Sequence, residues 1–391
     1  MKKMLLAVSG GLMCVCGMSS AYAQSQVTLY GVLDEGIHFQ SNVSGGKRYS
    51  LDSLSGVYGS RWGLTGFEDL GGGSRAIFTL ESGINLNSGT FGQGGTAFGR
   101  QAFVGLSNKQ YGSLTLGRQY DMIFYFPEFL SATALSGGPV GGQPGDFNNA
   151  SNTLRINNTI RYMSPNWHGL EFGGEYSVGG VAGNITANSG FSVGASYKTG
   201  PAKVAVAYEY FKNPTSSIPG SGFFTDQTNG VSTLSQSLNR GYASAQAFED
   251  VMAAANYVIG NLTLGGSLST VEYGNLGANF VKKSARLNNG DIGFSYRITP
   301  SLLGGFSYDY LFSKGTTIGS GEKIGGQHYH QLAVSIDYAL SKATDVYANL
   351  GWQRASGTSS LGTAAVADID NLGDSSNNHQ ILARLSLRHK F

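Results

Sequence analysis

Leu170-Glu171-Phe172-Gly173-Gly174-Glu175-Tyr176-Ser177-Val178 alternates its side chains with a period of two. Leu170, Phe172, Gly174, Tyr176 and Val178 fall on one face, Glu171 and Glu175 on the other. A strand with lipid on one side and water on the other must alternate in this way. The parity recurs. Phe191, Val193, Ala195 and Tyr197 oppose Ser192, Ser196 and Lys198. Ile292, Phe294 and Tyr296 oppose Asp291, Ser295 and Arg297, and Leu332, Val334, Ile336 and Tyr338 oppose Gln331, Ser335 and Asp337. Leu154, Ile156, Ile160 and Tyr162 read as one face, with Arg155, Asn157, Thr159 and Arg161 as the other. Each segment is about ten residues long, which is what a tilted membrane strand needs.

The connections alternate too. Short turns are expected near 68–73, 108–112, 164–168, 199–201, 259–261, 299–301 and 340–344. Longer segments are expected near 40–55, 85–97, 121–152, 179–189, 212–246, 274–287, 313–328 and 355–378. Seven short turns interleaved with eight long loops predict an all-β, sixteen-stranded antiparallel transmembrane β-barrel. Closure removes the hydrogen-bonding edges that hydrocarbon cannot satisfy. Short turns then belong in the periplasm and long loops outside. Tyr162, Tyr197, Tyr257, Tyr296 and Tyr338 lie on the apolar parity just before short turns, where an interfacial girdle falls. A soluble two-sheet protein would also alternate, but it needs no girdle and no even strand count.

Residues 1–23 read as a cleaved signal peptide: Lys2 and Lys3, an apolar stretch from Met4 to Met18, and Ala21-Tyr22-Ala23 before the cut. The barrel domain is then 24–391. Beyond the leader no run of 18 apolar residues occurs, which excludes helical spans. Cys14 and Cys16 are both in the leader, so the mature chain has no disulfide or thiolate site. Without Lys2 and Lys3 the 26 basic residues fall to 24, equal to the 24 acidic ones. That balance argues against a nucleic-acid partner. Charged residues are 13% of the chain, against about 25% in soluble domains, as a lipid-facing surface requires. Glycine is abundant, at 59 residues, but 12% aromatics at regular spacing do not fit a disordered chain.

Several stretches carry a family likeness. They are Val27-Thr28-Leu29-Tyr30-Gly31, Ser60-Arg61-Trp62-Gly63-Leu64, the turn Glu68-Asp69-Leu70-Gly71-Gly72-Gly73, Leu116-Gly117-Arg118-Gln119, Pro127-Glu128-Phe129, and the terminal Arg388-His389-Lys390-Phe391. In this order and spacing the chain resembles the general porins of Gram-negative bacteria, most closely the trimeric sixteen-stranded porins of β-proteobacteria. The resemblance implies a homotrimer among outer-membrane lipids, forming a water-filled channel for passive diffusion of small hydrophilic solutes and ions. It implies no enzyme activity and no cofactor. It makes Phe391 an assembly signal read by the barrel-assembly machinery. It folds the third loop, 121–152, inward, with Asp121, Glu128 and Asp146 and the glycine-rich run 137–145.

On the same resemblance, Arg61, Arg100 and Arg155 form the basic side of a pore constriction and Glu128 faces them. Parity turns Arg61 away from Trp62 and Leu64, and Arg155 away from Leu154 and Ile156. If Arg100 points inward, Ala102 and Val104 do so too and Phe103 meets lipid; a bulge would reverse that. Phe124 stands where some relatives carry a second loop acid, and Val32 where they carry a wall lysine. Three arginines against one matched acid predict a mild anion preference. Alternatives stay open: arginines that merely pin the loop, a substrate-selective channel, or a barrel enzyme or adhesin without an open pore. His328 and His330 share a strand face, yet no third ligand is evident nearby, so no metal site is expected.

Overall fold

The structure is a computed structural model that describes residues 25–43, 45–214, 234, 236–370 and 372–391. The expected leader, 1–23, lies outside the described residues.

The strands are β1 (Gln26–Val43), β2 (Gly46–Asp52), β3 (Arg61–Gly71), β4 (Ser74–Gly83), β5 (Gln101–Asn108) and β6 (Gly112–Gln119). Then follow β7 (Ile156–Met163), β8 (Leu170–Ser177), β9 (Gly190–Thr199), β10 (Ala202–Lys212), β11 (Ala247–Ile259) and β12 (Leu262–Gly274). The last are β13 (Ser284–Thr299), β14 (Leu302–Thr317), β15 (Lys323–Ala339), β16 (Thr344–Gly357) and β17 (His379–Lys390). All pairings are antiparallel. From β3 onward each strand pairs with the next, and β17 pairs with β1 from Val32↔Lys390 to Gln40↔Leu382. The sheet is therefore a closed barrel.

The seventeen segments make sixteen barrel strands, because β2 and β3 are two halves of one strand. Both pair with β1: β2 along Gly36–Val43 and β3 along Gln26–Val32. Between them, residues 53–60 stand opposite only Leu33, Asp34 and Glu35 of β1. The excess chain leaves the wall and folds into the interior. Where a long loop is expected, at 40–55, the structure instead has a tight hairpin, followed by this break. A second expected loop, 313–328, is mostly strand, since β14 runs to Thr317 and β15 starts at Lys323.

The faces are inverted relative to a soluble protein. Outward positions are exposed and apolar, such as Val204, Val206, Leu268, Ile292, Ile336 and Leu385. Inward positions are buried and polar, such as Asp34, Glu81, Ser192, Gln331, Asn349 and Arg384. Tyr197, Tyr257, Tyr296 and Tyr338 are 45–51% exposed on the outer face near the short turns, forming the expected girdle.

Near the long-loop end, part of the inner face turns apolar. Phe211, Phe248, Tyr273, Leu287, Leu311 and Tyr329 pack with Leu238 and Tyr242 of the loop before β11 and with Ala365 of the last loop. This cluster lies against the inner face of β10–β16 and also takes in Phe147 and Leu154 of the third loop and Ile156 at the start of β7.

Candidate functional site

The segment between β6 and β7 crosses the interior and rests on the wall. Its first turn, α1 (Met122–Tyr125), is capped by Asp121, whose side chain accepts from the Phe124 amide at 2.9 Å. A second short helix, α2 (Ala132–Leu135), follows. The wall beneath is stripped of side chains. A Cβ on Gly194 would lie 2.5 Å from the Phe126 ring; one on Gly265, 2.7 Å from the Leu130 carbonyl; one on Gly305, 2.2 Å from the Leu135 carbonyl; one on Gly351, 2.8 Å from Val140 Cγ1. These glycines all have inward parity on β9, β12, β14 and β16. Ala205, Ala207 and Ala254 continue the track on β10 and β11.

Polar side chains along the track hold the loop backbone. Ser192 Oγ accepts from the Met122 amide at 3.0 Å, and Asp291 Oδ1 from the Ala132 amide at 2.9 Å. Gln143 Nε2 donates to Asp291 Oδ2 at 2.8 Å, and Ser307 Oγ to Ser136 Oγ at 2.7 Å. Asn349 Nδ2 donates to the Gly137 carbonyl at 2.9 Å, and Gln331 Nε2 to that of Val140 at 3.2 Å. A neutral bond of this kind is worth about 1 kcal/mol, and one to a charged group about 1.5–3 kcal/mol, so together they hold the loop firmly.

Residues 53–60 come in from the other side. A Cβ on Gly56 would lie 2.4 Å from Asp34 Cγ, and the Val57 amide donates to Tyr347 Oη at 3.1 Å. Tyr347 in turn donates to Asp34 Oδ1 at 2.7 Å, and Arg384 reaches Asp34 at 3.2 Å and Asp52 at 3.3 Å. This buried network fixes the inlet to β1 and β17. Tyr58, at its tip, has Arg61 Cζ 5.7 Å, Arg388 Cζ 5.0 Å and Lys390 Nζ 5.3 Å from its ring.

Between the two in-folded segments lies a cavity of about 380 Å³. Arg61, Arg100, Arg155 and Glu128 all line it, as do Tyr58, Glu81, Tyr120, Phe124 and Phe129. Glu81 of β4 is the hub of its basic side. It accepts from Arg100 Nε at 2.7 Å, Tyr30 at 2.9 Å and Tyr120 at 3.1 Å, and lies 3.6 Å from Arg61 Nε. Arg155 Cζ is 5.3 Å from the Tyr120 ring. Burial pushes the Glu128 carboxyl well above the usual range, helped by Asp121 and Asp146 and opposed by Arg155 and Arg100.

Parity misplaces the neighbours of two arginines. Arg155 lies inside, but so do Leu154 and Ile156, at 1% and 0% exposure. Asn158 takes a left-handed φ of +54°, which resets the alternation before Thr159, and the long-loop apolar cluster accepts both aliphatic chains. Arg100 also lies inside, but Val104 is 58% exposed on the outer face, and Phe103 stands 5.4 Å from the inward Arg161. Arg100 precedes β5, and the alternation begins only at Gln101. Of the three loop acids, Glu128 alone lines the cavity. Asp146 accepts from the Ser151 and Thr153 amides at 2.7 and 3.0 Å, so it shapes the loop as Asp121 does.

Glu81 and the 53–60 inlet line the cavity, and the sequence does not single them out. Glu81 carries a signal all the same: it sits on the polar parity of its strand, as Thr79 does, with Leu80 between them. His328 and His330 face outward and bond Tyr310 at 2.9 Å and Tyr308 at 2.8 Å.

Residues 11–358 match the family model described as Gram-negative porin. An outer membrane porin protein of Bordetella pertussis is 29% identical over 378 residues, spanning 89% of this chain and 93% of that one. Outer membrane porin protein 32 of Delftia acidovorans is 29% identical over 406 aligned positions and spans 100% of both chains. Among solved structures, an anion-selective porin from Comamonas acidovorans superposes with a TM-score of 0.66, over 94% of this chain and 100% of that one, at 22% identity. OmpT of Vibrio cholerae, in its trimer form, gives 0.63 over 94% and 99%, at 12% identity. The inverted barrel, the polar interior and these matches lead to one conclusion: the chain belongs to the Gram-negative porin family, outer-membrane channels for passive diffusion with no enzymatic role.

Proposed function

We propose that this porin favours anions and that Arg61, Arg100, Arg155 and Glu128 set the preference at its constriction. The observation that carries the reading is the lining of the cavity. Three guanidinium groups, which stay charged at every working pH, share it with two carboxylates among the described residues, Glu81 and Glu128. A narrow aqueous passage between low-dielectric walls magnifies such an excess. Ser192, Asp291, Ser307, Gln331 and Asn349 anchor the loop along the wall, and Arg155 donates to the Thr153 carbonyl at its end at 2.9 Å, so the arginines carry at most a share of the anchoring. The Comamonas acidovorans porin, which shares the fold, is anion-selective, and that agrees with this reading.

Residues 1–23 act as the export signal, the short turns face the periplasm, and the mature chain works as a homotrimer. The apolar outer face suits both lipid and a neighbouring subunit. Phe391 serves as the signal to the barrel-assembly machinery. The test of selectivity is the reversal potential of the channel under a potassium chloride gradient in a planar bilayer. Chloride should carry more current than potassium, and the triple change of Arg61, Arg100 and Arg155 to Ala should reverse the sign. A folded triple variant with the wild-type potential would overturn the reading.

A further inference from the structure

The loop side of the cavity is largely aromatic, with Glu128 its one carboxylate among the described residues. Phe124 stacks on Tyr120 with ring centroids 4.1 Å apart and meets Phe129 edge-on at 5.2 Å. Phe129 is half exposed, yet it faces the cavity and not lipid. The loop carboxylates that could have occupied this surface, Asp121 and Asp146, are turned into the loop to hold backbone amides. Opposite stand the arginines, and Tyr58 closes a third side beside Arg61. A passage for inorganic ions has no use for phenyl rings facing water. A ligand with a charged end and a flat apolar body uses every one of these surfaces.

We propose that the constriction is a binding site for single-ring aromatic carboxylates, which are held there in transit. The carboxylate is drawn to Arg61 and Arg155, whose guanidinium groups match its two oxygens. The ring lies against Phe124 and Phe129, and Tyr58 bounds its other edge. The cavity, at about 380 Å³, holds one such ring with water to spare. This inference rests on the anion-preferring reading above and adds to it a second requirement, the planar ring. Contacts between aromatic rings gain beyond simple area burial, enough for about a fivefold difference in affinity. Inorganic anions and short aliphatic acids lack that gain.

The experiment uses the mature porin in planar bilayers in potassium chloride, with benzoate, cyclohexanecarboxylate or acetate added. Benzoate and cyclohexanecarboxylate carry the same charge at similar size, but only benzoate is flat and aromatic. Benzoate should reduce the chloride current at a concentration about fivefold below that needed for cyclohexanecarboxylate, and acetate should act more weakly than either. Changing both Phe124 and Phe129 to Ala should bring benzoate and cyclohexanecarboxylate together. Arg155→Ala should weaken both alike. Should the double Ala variant fail to assemble, Phe129→Leu, which keeps bulk and removes the ring, makes the same comparison. Equal potency of benzoate and cyclohexanecarboxylate in a wild-type channel that prefers chloride would overturn the aromatic site and leave the anion reading standing. A wild-type channel that prefers potassium would overturn the anion reading itself.

Discussion

Gly31 has no side chain, and the Phe391 ring occupies the space where one would be: a Cβ there would lie 2.4 Å from the ring's Cζ. The same two residues close the barrel. The Gly31 amide donates to the Phe391 carbonyl at 2.9 Å, and the Phe391 amide returns the bond at 3.1 Å. First and last strands thus meet through a backbone pair capped by a ring.

Gly31→Val should therefore destabilise the closed barrel, because ring and side chain claim the same space. Removing the ring with Phe391→Ala costs about 1.5–3 kcal/mol of apolar contact alone. The two changes together should cost less than their sum, since losing the ring removes the clash at 2.4 Å and leaves only the one with the Arg61 carbonyl at 2.8 Å. Unfolding temperatures in detergent of the two single variants and the double variant test this. Strict additivity would mean that ring and glycine act independently.

Selectivity should follow the charges around Glu81. Two unit charges about 8 Å apart in water interact by about 0.5 kcal/mol, roughly a twofold bias in passage. Arg155→Ala should lower the anion preference by about that factor. Glu81→Gln and Glu128→Gln should each raise it. Every difference should shrink at 1 M salt, where the Debye length is about 3 Å. Reversal potentials at low and high salt are the measurement, and a salt-independent difference would count against a charge mechanism.

Acid should strengthen the anion preference. Burial, with Asp121 and Asp146 nearby, holds the Glu128 proton to a higher pH than an ordinary carboxyl, despite Arg155 and Arg100. As pH falls, Glu128 is neutralised early while the arginines stay charged. Reversal potentials should drift toward chloride as pH is lowered from above the ordinary carboxylate range, in the wild type and much less in Glu128→Gln. A drift of equal size in the variant would place the titrating group elsewhere.

Acid should also tighten the loop. Burial pushes Asp121 up to about 6 from 3.8, so its folded pKa exceeds its unfolded one. That contribution to stability is fully present below about 3.8 and is lost as pH rises through about 6. Asp121→Asn keeps an acceptor for the Phe124 amide and removes the titration. Its unfolding temperature should vary less with pH than the wild type's over this window. Equal pH slopes would refute the assignment.

The barrel is legible in the chain because period-two alternation and short turns are local. Each strand needs only its own residues to declare its faces, and the tyrosine girdle marks one end. The break at 53–60 is not legible: Ser53-Leu54-Ser55-Gly56-Val57-Tyr58-Gly59-Ser60 reads like the tail of a loop, and only its pairing with β1 shows that strand lies on both sides. Parity fails at Arg155 and Arg100 for a related reason. A left-handed Asn158 and a strand that begins one residue late each shift the alternation, and apolar residues that pack under loops look like residues that face lipid. Glu81 is readable as an inward acid, but its three hydrogen-bonding partners come from β1, the chain before β5 and the chain after β6.

The glycine track beneath the third loop has a consequence for how such a channel changes over generations. Alanine is a single base change from any glycine codon, and at Gly305 it would place an atom 2.2 Å from the Leu135 carbonyl, where contact needs over 3 Å. The strand is bonded to neighbours on both sides and the loop is not, so the loop should give way by about 1 Å toward the axis, and Gly305→Ala should lower single-channel conductance. A population under attack by a compound that enters through this pore therefore has a route to exclude it that leaves every charged residue untouched. Surveys of resistant isolates that watch only the arginines and acids would overlook it.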